Sequence, residues 1–331
     1  MTILRSVTIA AACAVCLGSA SFADEVSWRA LIETGNRFMD ENRYAAATET
    51  FRSAAAQAQA GHSPQMGISL DHLGNAYEAL GRDQEAERCF QQAIAALESV
   101  GEEGYPYLIR AWTDLAGHHI KFTRYASARN LAERALAALT RQASQDPKAT
   151  ALALTLLASI DSSQHKTKDA EVRCRQAMAV LDRAGWSQSR EWSAAANNLG
   201  TLLLGSGRPA EGEHYLREAL SRSEETVRTP EDKLVLGLLL ANLATVDSRL
   251  RRFDEADRYL RRALEIFEGE LGLTHPTTGT TLMQYAGLCR ATNRKAEAKD
   301  YERRAKECLT ATGYSALANT IDVNELRARG R

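Results

Sequence analysis

One column of small residues recurs along the chain and constrains its fold more than any other feature. Glycine or alanine occupies the column seven times, at steps of 39, 42, 42, 42, 44 and 42 residues: Gly35, Gly74, Ala116, Ala158, Gly200, Ala244 and Ala286. Another small residue follows each of these after twelve residues, and an alanine follows seven residues later. Two constant distances in seven copies indicate an internal repeat.

Each copy predicts two antiparallel helices. In the second copy, Leu70, Leu73 and Tyr77 lie on one apolar helical face. The segment "LGRD" then predicts a break, with Gly81 at the C-terminal cap and Asp83 as the next N-cap. Small residues at the crossing point let two helices approach to about 8 Å. One such pair cannot bury its apolar faces alone, so neighbouring pairs are expected to stack.

The repeat resembles the tetratricopeptide (TPR) signature. The residues that carry the resemblance are Leu73, Gly74, Tyr77, Ala86 and Phe90 in the second copy, with Trp112 and Leu115 in the third. The 42-residue period exceeds the usual 34 residues. The phrase "LGLTHPTTGTTLMQYAGL" at 271–288 is similar to the inter-repeat segment of the kinesin-light-chain-like subgroup. The resemblance implies an all-α solenoid, a right-handed superhelix of about seven hairpins whose first helices line a concave groove.

The repeat also predicts helix bounds and domain organisation. The predicted pairs are 26–41/44–60, 65–80/83–98, 106–122/125–143, 148–164/167–184, 187–205/208–226, 230–250/253–269 and 276–292/295–311. The solenoid is expected to span 24–312. The segment 313–331 is either an extended tail or a capping helix, whose Leu317, Ile321, Val323 and Leu326 would cover the last hairpin.

The first 23 residues read as a secretory signal peptide. Arg5 precedes an apolar run over 7–17, and Ser21 and Ala23 are small residues suited to cleavage before Asp24. A membrane anchor is the less favoured alternative, because a span needs about 20 apolar residues. A lipoprotein signal is a minor alternative, since Cys13 and Cys16 lie inside the apolar run. We therefore expect a periplasmic or secreted protein.

Removal of this leader leaves four cysteines: Cys89, Cys174, Cys289 and Cys308. In the hairpin registers, Cys89 and Cys174 lie two hairpins apart, about 20 Å at the 10 Å spacing of packed helices. A disulfide needs Cα atoms within about 7 Å. The sequence therefore predicts free, largely buried thiols.

No arrangement typical of catalysis or of a bound cofactor or metal emerges. Gly74 and Gly81 match neither phosphate-binding glycine motif. His118 and His119 are adjacent on a helix, so their side chains point about 100° apart and cannot chelate one ion together. Carboxylates are expected on solvated helix faces beside arginines. With a net charge of −1 and interleaved charges, the chain shows no nucleic-acid footprint.

The predicted groove is lined by polar residues on the side of each first helix that faces away from the core. The candidate partner-contacting residues are Asn36, His72, Asn75, Arg110, Lys121, Asn197, Asn198, Thr201, Asn242, Thr245, Arg249 and Gln284. Asn198 and Asn242 occupy the same position of their copies, and an amide there can bind a peptide backbone in relatives of this type. The alternative is that they are tolerated polar positions on a helix surface.

We therefore expect an exported, non-enzymatic scaffold that binds a peptide or a partner protein, without a membrane span after leader removal. A strongly acidic ligand is not favoured, because Asp71 and Asp114 lie among the basic groove residues. Two alternatives remain. One is an accessory subunit of an enzyme or envelope complex, and the other is a structural protein that stacks end to end through its terminal hairpins.

Overall fold

The computed structural model describes residues 27–58, 63–141, 146–273 and 275–311. These residues contain only helices and turns. The predicted leader (1–23) and terminal segment (313–331) lie outside the described residues. The chain forms two compact units, Met1–Ala111 and Trp112–Arg331, and the boundary falls within one helix. The single solenoid domain over 24–312 stays a prediction.

Fourteen helices occur within the described ranges. They are α1 (27–40), α2 (Tyr44–Gln57), α3 (Gln65–Ala79), α4 (Asp83–Ser99), α5 (Tyr105–Lys121), α6 (Tyr125–Arg141), α7 (Pro147–Ser163), α8 (Thr167–Arg183), α9 (Arg190–Gly205), α10 (Pro209–Thr226), α11 (Pro230–Arg249), α12 (Phe253–Glu270), α13 (Pro276–Ala291) and α14 (Lys295–Ala311). The predicted all-α solenoid of helix pairs is confirmed, with bounds within a few residues of those expected.

The turn inside each pair has one recurring backbone geometry. Seven residues after each member of the small column, the chain adopts a positive φ of 56° to 78°: Asn42, Gly81, Thr123, His165, Gly207, Arg251 and Asn293. Gly81 ends α3 as expected, but the prediction that Asp83 caps α4 is wrong. The N-cap is Arg82, whose side chain makes no capping bond, and Asp83 is the first helical residue. Helix α4 therefore begins one residue earlier than the sequence suggested.

The small column lies where the two helices of a pair cross. A Cβ added at Gly74 would stand 2.6 Å from Phe90 Cε1, and one at Gly200 would stand 2.6 Å from Leu216 Cγ. Neither distance is compatible with a normal van der Waals contact. Where the column holds alanine, the residue sixteen positions later is smaller in two copies, as with Ala132 opposite Ala116. The column is therefore small because of packing.

In the second unit, first helices also contact one another along the stack. α7 contacts α9, α9 contacts α11, and α11 contacts α13. Each second helix packs against the next first helix, as α8 does against α9 and α10 against α11. Polar residues on neighbouring first helices are thereby brought within hydrogen-bonding distance.

The cysteines are free and buried, as the hairpin registers predicted. The Cys308 thiol donates to the carbonyl oxygens of Leu273 and His275 at 2.9 and 3.1 Å. His119 is also buried. Among the described helices, none is both long and apolar enough to cross a membrane.

Candidate partner-binding face

Three hydrogen bonds between consecutive first helices form what we call the seam ladder. Asn198 Nδ2 on α9 donates to Ser159 Oγ on α7 at 3.2 Å. Asn242 Nδ2 on α11 donates to Asn197 Oδ1 on α9 at 2.8 Å. The third rung joins α13 to α11, where Gln284 Nε2 and Thr245 Oγ1 are 3.4 Å apart. Neutral amides and hydroxyls therefore connect the last four first helices.

All three donating carboxamides share one position, two residues before the small column, and all point their N–H groups toward the preceding repeat. Asn242 Oδ1 and Gln284 Oε1 are buried and have no hydrogen-bond partner among the described residues. An unsatisfied buried acceptor costs about 1–3 kcal/mol.

The predicted groove residues of the second unit differ widely in exposure. Asn197, Thr201 and Asn242 are buried, with Asn242 at 0% exposure. Asn198, Thr245, Gln284 and Lys121 are half-buried, and Arg249 is exposed. Only the half-buried and exposed residues have side-chain surface in this structure that a partner can contact. Of the buried members, Asn197 and Asn242 join neighbouring helices, whereas Thr201 donates to the backbone carbonyl oxygen of Asn198 within α9.

The predicted groove residues of the first unit are Asn36, His72, Asn75 and Arg110. Asn36 and Asn75 are half-buried on α1 and α3. His72 is buried, with its ring stacked on Phe51 at a centroid distance of 5.0 Å. Burial, assisted by the positive charge of Arg110, lowers the pKa of His72 to about 3. His72 is therefore a neutral packing residue at physiological pH.

Arg110 forms an ion pair with Asp71, whose Oδ2 lies 3.1 Å from Arg110 Nε. Asp71 is 3% exposed. The expectation that carboxylates lie on exposed faces is therefore wrong for Asp71, and it is also wrong for Asp161 and Asp247, which are 1% and 0% exposed. These acids are tolerated inside because arginines reach them.

Asp161 shows this compensation most fully. Its two carboxylate oxygens accept bonds from Arg129 and Arg173, each at 2.6 Å. Asp161 and Asp247 occupy the core column that holds Tyr77 in the second copy. An acid in an otherwise apolar column was the sequence signal for a buried ion pair.

A second set of contacts, which we call the outer ladder, joins the same repeats through their second helices. Glu171 on α8 binds Arg208 at 2.7 Å. Glu213 on α10 binds Arg252 at 2.6 Å, and the next rung joins Asp257 on α12 to Arg294 at 2.8 Å. Each rung ties one second helix to the turn of the following hairpin.

The outer ladder holds its acids in the charged form. Burial by itself raises the pKa of Glu171 and Glu213, but hydrogen bonds from arginines outweigh burial and lower both pKa values. The same balance lowers the pKa of Asp257, which also accepts a bond from Tyr285 at 2.9 Å. Asp247 differs, because burial raises its pKa despite Arg252.

Comparison with known proteins identifies the class. Tetratricopeptide repeat family models match residues 65–141, 192–227 and 235–311, which together are more than half of the chain. The protein belongs to the tetratricopeptide repeat family.

Individual relatives are more distant. The kinesin light chain-related protein 3 of Arabidopsis thaliana is 23% identical over 248 residues, which are 74% of this chain and 38% of that protein. The chain therefore spans about two fifths of the length of the curated relative it matches.

Two solved structures share the fold. BtubC (BKLC) from P. vanneervenii has a TM-score of 0.55 at 18% identity, over 70% of this chain and 93% of its own. The Rap conjugation gene regulator of plasmid pLS20, solved in complex with a Phr peptide, has a TM-score of 0.68 at 11% identity, over 89% of this chain and 77% of its own.

Proposed function

We propose that the protein is an exported, non-enzymatic scaffold that binds a peptide segment or a partner protein along the first-helix face of α7, α9, α11 and α13. One observation carries the proposal. The three carboxamides of the seam ladder donate in one direction, which leaves the acceptor oxygen of half-buried Gln284 without a hydrogen-bond partner among the described residues. Peptide backbone N–H groups are suitable donors for such oxygens.

The half-buried amides Asn198 and Gln284 are the direct contacts in this proposal. The terminal torsion of a glutamine side chain is soft, so a modest rotation brings Gln284 Oε1 to the ligand. Arg249 is exposed near the C-terminal end of α11, on the rim of the same face. The peptide-bound Rap structure, similar in fold, supports a peptide as the ligand.

The test compares matched amide substitutions. Asn198→Ala with Gln284→Ala removes both half-buried carboxamides, whereas Gln176→Ala removes an exposed amide from the second helix α8. Affinity purification from the exported fraction, read by mass spectrometry, should lose its specific partner with the double variant and keep it with the control. Both variants should retain the wild-type helical melting curve. A double variant that captures the same partner at wild-type yield would refute the groove assignment.

The last hairpin favours partner binding over end-to-end stacking. The positions that hold Leu260 and Leu264 in α12 hold Glu302 and Lys306 in α14. Terminal repeats with a polar outer face limit a solenoid's growth. Light scattering should accordingly give a molar mass that does not rise with concentration.

Export rests on the pattern of Arg5, the apolar run and Ala23. N-terminal sequencing of the mature protein should begin near Asp24. An intact N-terminus, or protein confined to the cytoplasmic fraction, would contradict export.

A further inference from the structure

The two ends of the hairpins in the second unit carry opposite charge. Each hairpin has a turn end, where its first helix meets its second, and a junction end, where it joins the next hairpin. The five turn ends are 119–128, 161–170, 203–212, 247–256 and 289–298. Three junction ends are 182–191, 224–233 and 268–277. The turn ends hold eleven Lys or Arg against seven Asp or Glu, whereas these junction ends hold four against eight. A net charge of −1 for the whole chain hides this separation.

The turn ends lie side by side along the unit. Arg129 on α6 donates to Gln164 Oε1, at the turn of the fourth hairpin, at 3.3 Å. The next contacts of this kind are the rungs of the outer ladder, each of which joins a second helix near its start to the turn of the following hairpin. The turn ends of the third to seventh hairpins therefore form one strip, which we call the turn edge.

Much of the positive charge on the turn edge is not neutralised within the chain. Arg208, Arg252 and Arg294 are held by the acids of the outer ladder. Exposed cations of the turn edge that form no ion pair with another described residue are Lys166, Lys168, Arg249, Arg251 and Lys295. Two exposed acids of the same strip, Asp169 and Asp254, also form none. Unpaired positive charge is thus in excess.

Arg251 occupies a backbone position that favours glycine. Its φ is 60°, and the equivalent residue of the preceding hairpin is Gly207, with a φ of 78°. A left-handed backbone costs free energy for a residue with a Cβ, and glycine avoids that cost. The chain therefore carries this exposed charge at the expense of stability.

Two turns of the turn edge also expose an apolar side chain beside cations. Leu250 lies between two arginines and is 46% exposed. Phe122 occupies the same position in the third hairpin and is 37% exposed, with Lys121 Nζ and Arg124 Cζ 5.5 and 5.6 Å from its ring centroid. Apolar side chains flanked by cations suit the boundary between lipid headgroups and acyl chains, where cations bind phosphate groups.

We propose that the turn edge of the second unit binds the surface of a lipid bilayer that contains anionic headgroups, with Leu250 and Phe122 inserted between the headgroups. The unpaired cations supply attraction to the negative surface. A soluble polyanion needs only the cations, whereas the exposed apolar tips gain free energy by leaving water at a bilayer. The inference goes beyond the proposed function, because it concerns a lipid partner at the ends of the hairpins.

Co-sedimentation with vesicles tests the role of charge. The protein, purified as its cells process it, should bind vesicles of mixed phosphatidylglycerol and phosphatidylcholine more tightly than vesicles of phosphatidylcholine alone. Each cation near an anionic surface strengthens binding about fivefold, so Lys166→Gln with Lys168→Gln should weaken it about twentyfold. The control, Arg183→Gln with Arg228→Gln, removes two exposed cations from junction ends and should leave binding unchanged.

Substitutions at one turn separate binding from folding. Arg251→Gly should weaken vesicle binding about fivefold yet raise the midpoint of thermal unfolding, because it removes a charge and relieves the left-handed backbone. A purely structural role of Arg251 predicts no loss of binding. Leu250→Ser should weaken vesicle binding severalfold. Leu273→Ser, at a junction end where Leu273 is 65% exposed, should not weaken it.

The proposal is overturned if both kinds of vesicle bind equally, or if Lys166→Gln with Lys168→Gln binds as wild type. Wild-type binding by Leu250→Ser, or tighter binding to soluble inorganic polyphosphate than to the mixed vesicles, would overturn the choice of a lipid. The peptide-binding proposal is tested separately by partner capture with Asn198→Ala and Gln284→Ala, so either proposal can fail while the other stands.

Discussion

The seam ladder and the outer ladder connect the same three pairs of repeats with opposite chemistry. Between the fourth and fifth repeats, Asn198 and Ser159 form a neutral bond on one side, and Glu171 and Arg208 form an ion pair on the other. The next two junctions repeat this division. The outer acids each bind two or more donors. In the seam ladder, Asn242 and Gln284 each keep an acceptor oxygen that has no hydrogen-bond partner among the described residues.

This difference separates a structural role, for the outer ladder, from the ligand-binding role proposed above for the seam ladder. A charged group needs several partners when it leaves water, so the outer ladder forms closed networks that hold repeats together. Leaving the oxygen of a neutral carboxamide unpaired costs less free energy than leaving a buried charge unpaired. In the proposed function, such an oxygen is available to accept a hydrogen bond from a ligand. We therefore expect the outer ladder to respond to pH and salt, and the seam ladder to respond to a partner.

The largest effect on stability is expected from Asp161, which forms ion pairs with Arg129 and Arg173. These pairs join the third repeat to the fourth and so extend the outer ladder by one repeat. Asp161→Ala leaves Arg129 and Arg173 without their shared carboxylate. Because both arginines are partly exposed and regain some hydration, the loss should be about 3 kcal/mol, at the lower end for broken buried pairs. Asp182→Ala, at an exposed acid, should change the unfolding free energy by less than about 0.5 kcal/mol. Urea unfolding measures both, and equal effects would contradict the burial argument.

The next effect tests the helix crossing on which both ladders depend. Gly200→Ala places a Cβ 2.6 Å from Leu216 Cγ and 3.0 Å from the Gly212 carbonyl oxygen, so it should destabilise by about 1–3 kcal/mol. Gly287→Ala meets no atom within 4 Å and should stabilise by up to about 1 kcal/mol through helix propensity. Thermal unfolding of the two variants should therefore shift in opposite directions.

A double-mutant cycle tests whether the buried rung of the seam ladder is needed for stability. Asn197→Leu alone removes the acceptor of the Asn242 amide and should cost about 1–3 kcal/mol. Adding Asn242→Leu removes the stranded amide as well, so the double variant should lie closer to wild type than the single variant. If the two losses instead add, the two amides are not coupled and the hydrogen bond between them does not contribute to stability.

The smallest effect concerns pH. Glu171, Glu213 and Asp257 have lowered pKa values in the folded state. Their stabilisation is therefore complete above the unfolded-state pKa, near 4.3 for Glu, and is lost as pH falls through the folded value. Glu213→Gln should flatten the acid limb of the stability curve by less than about 1 kcal/mol. An unchanged acid limb would mean that this rung does not contribute.

Asp247 should act in the opposite sense. Its raised pKa means that the folded state binds a proton more readily than the unfolded state, so acidification through that pKa stabilises the fold. Asp247→Asn should remove this gain. Urea titrations between pH 3 and 7 on both variants, a range chosen around the reference carboxyl pKa values, separate the two signs.

Much of the fold was predictable because local patterns determined it. The steps of the small column gave all seven hairpins, and the apolar spacing gave their bounds. The N-cap of α4 was mispredicted because Asp83 is a favourable N-cap residue in isolation. In the structure the chain turns at the left-handed Gly81, so Arg82 is the N-cap and Asp83 is already the first helical residue. Within the site, Ser159 was missed because a lone serine on an alanine-rich helix carries no distinguishing pattern.

Asn198 and Asn242 show where sequence information ends. The sequence determined that both precede the same leucine of the repeat, and therefore that both lie on the same face of their helices. Only the packing of neighbouring helices decided that Asn198 is half-buried against Ser159 while Asn242 is wholly buried against Asn197. Exposure depends on side chains contributed by an adjacent helix about 40 residues away, which a periodic pattern within one repeat does not specify.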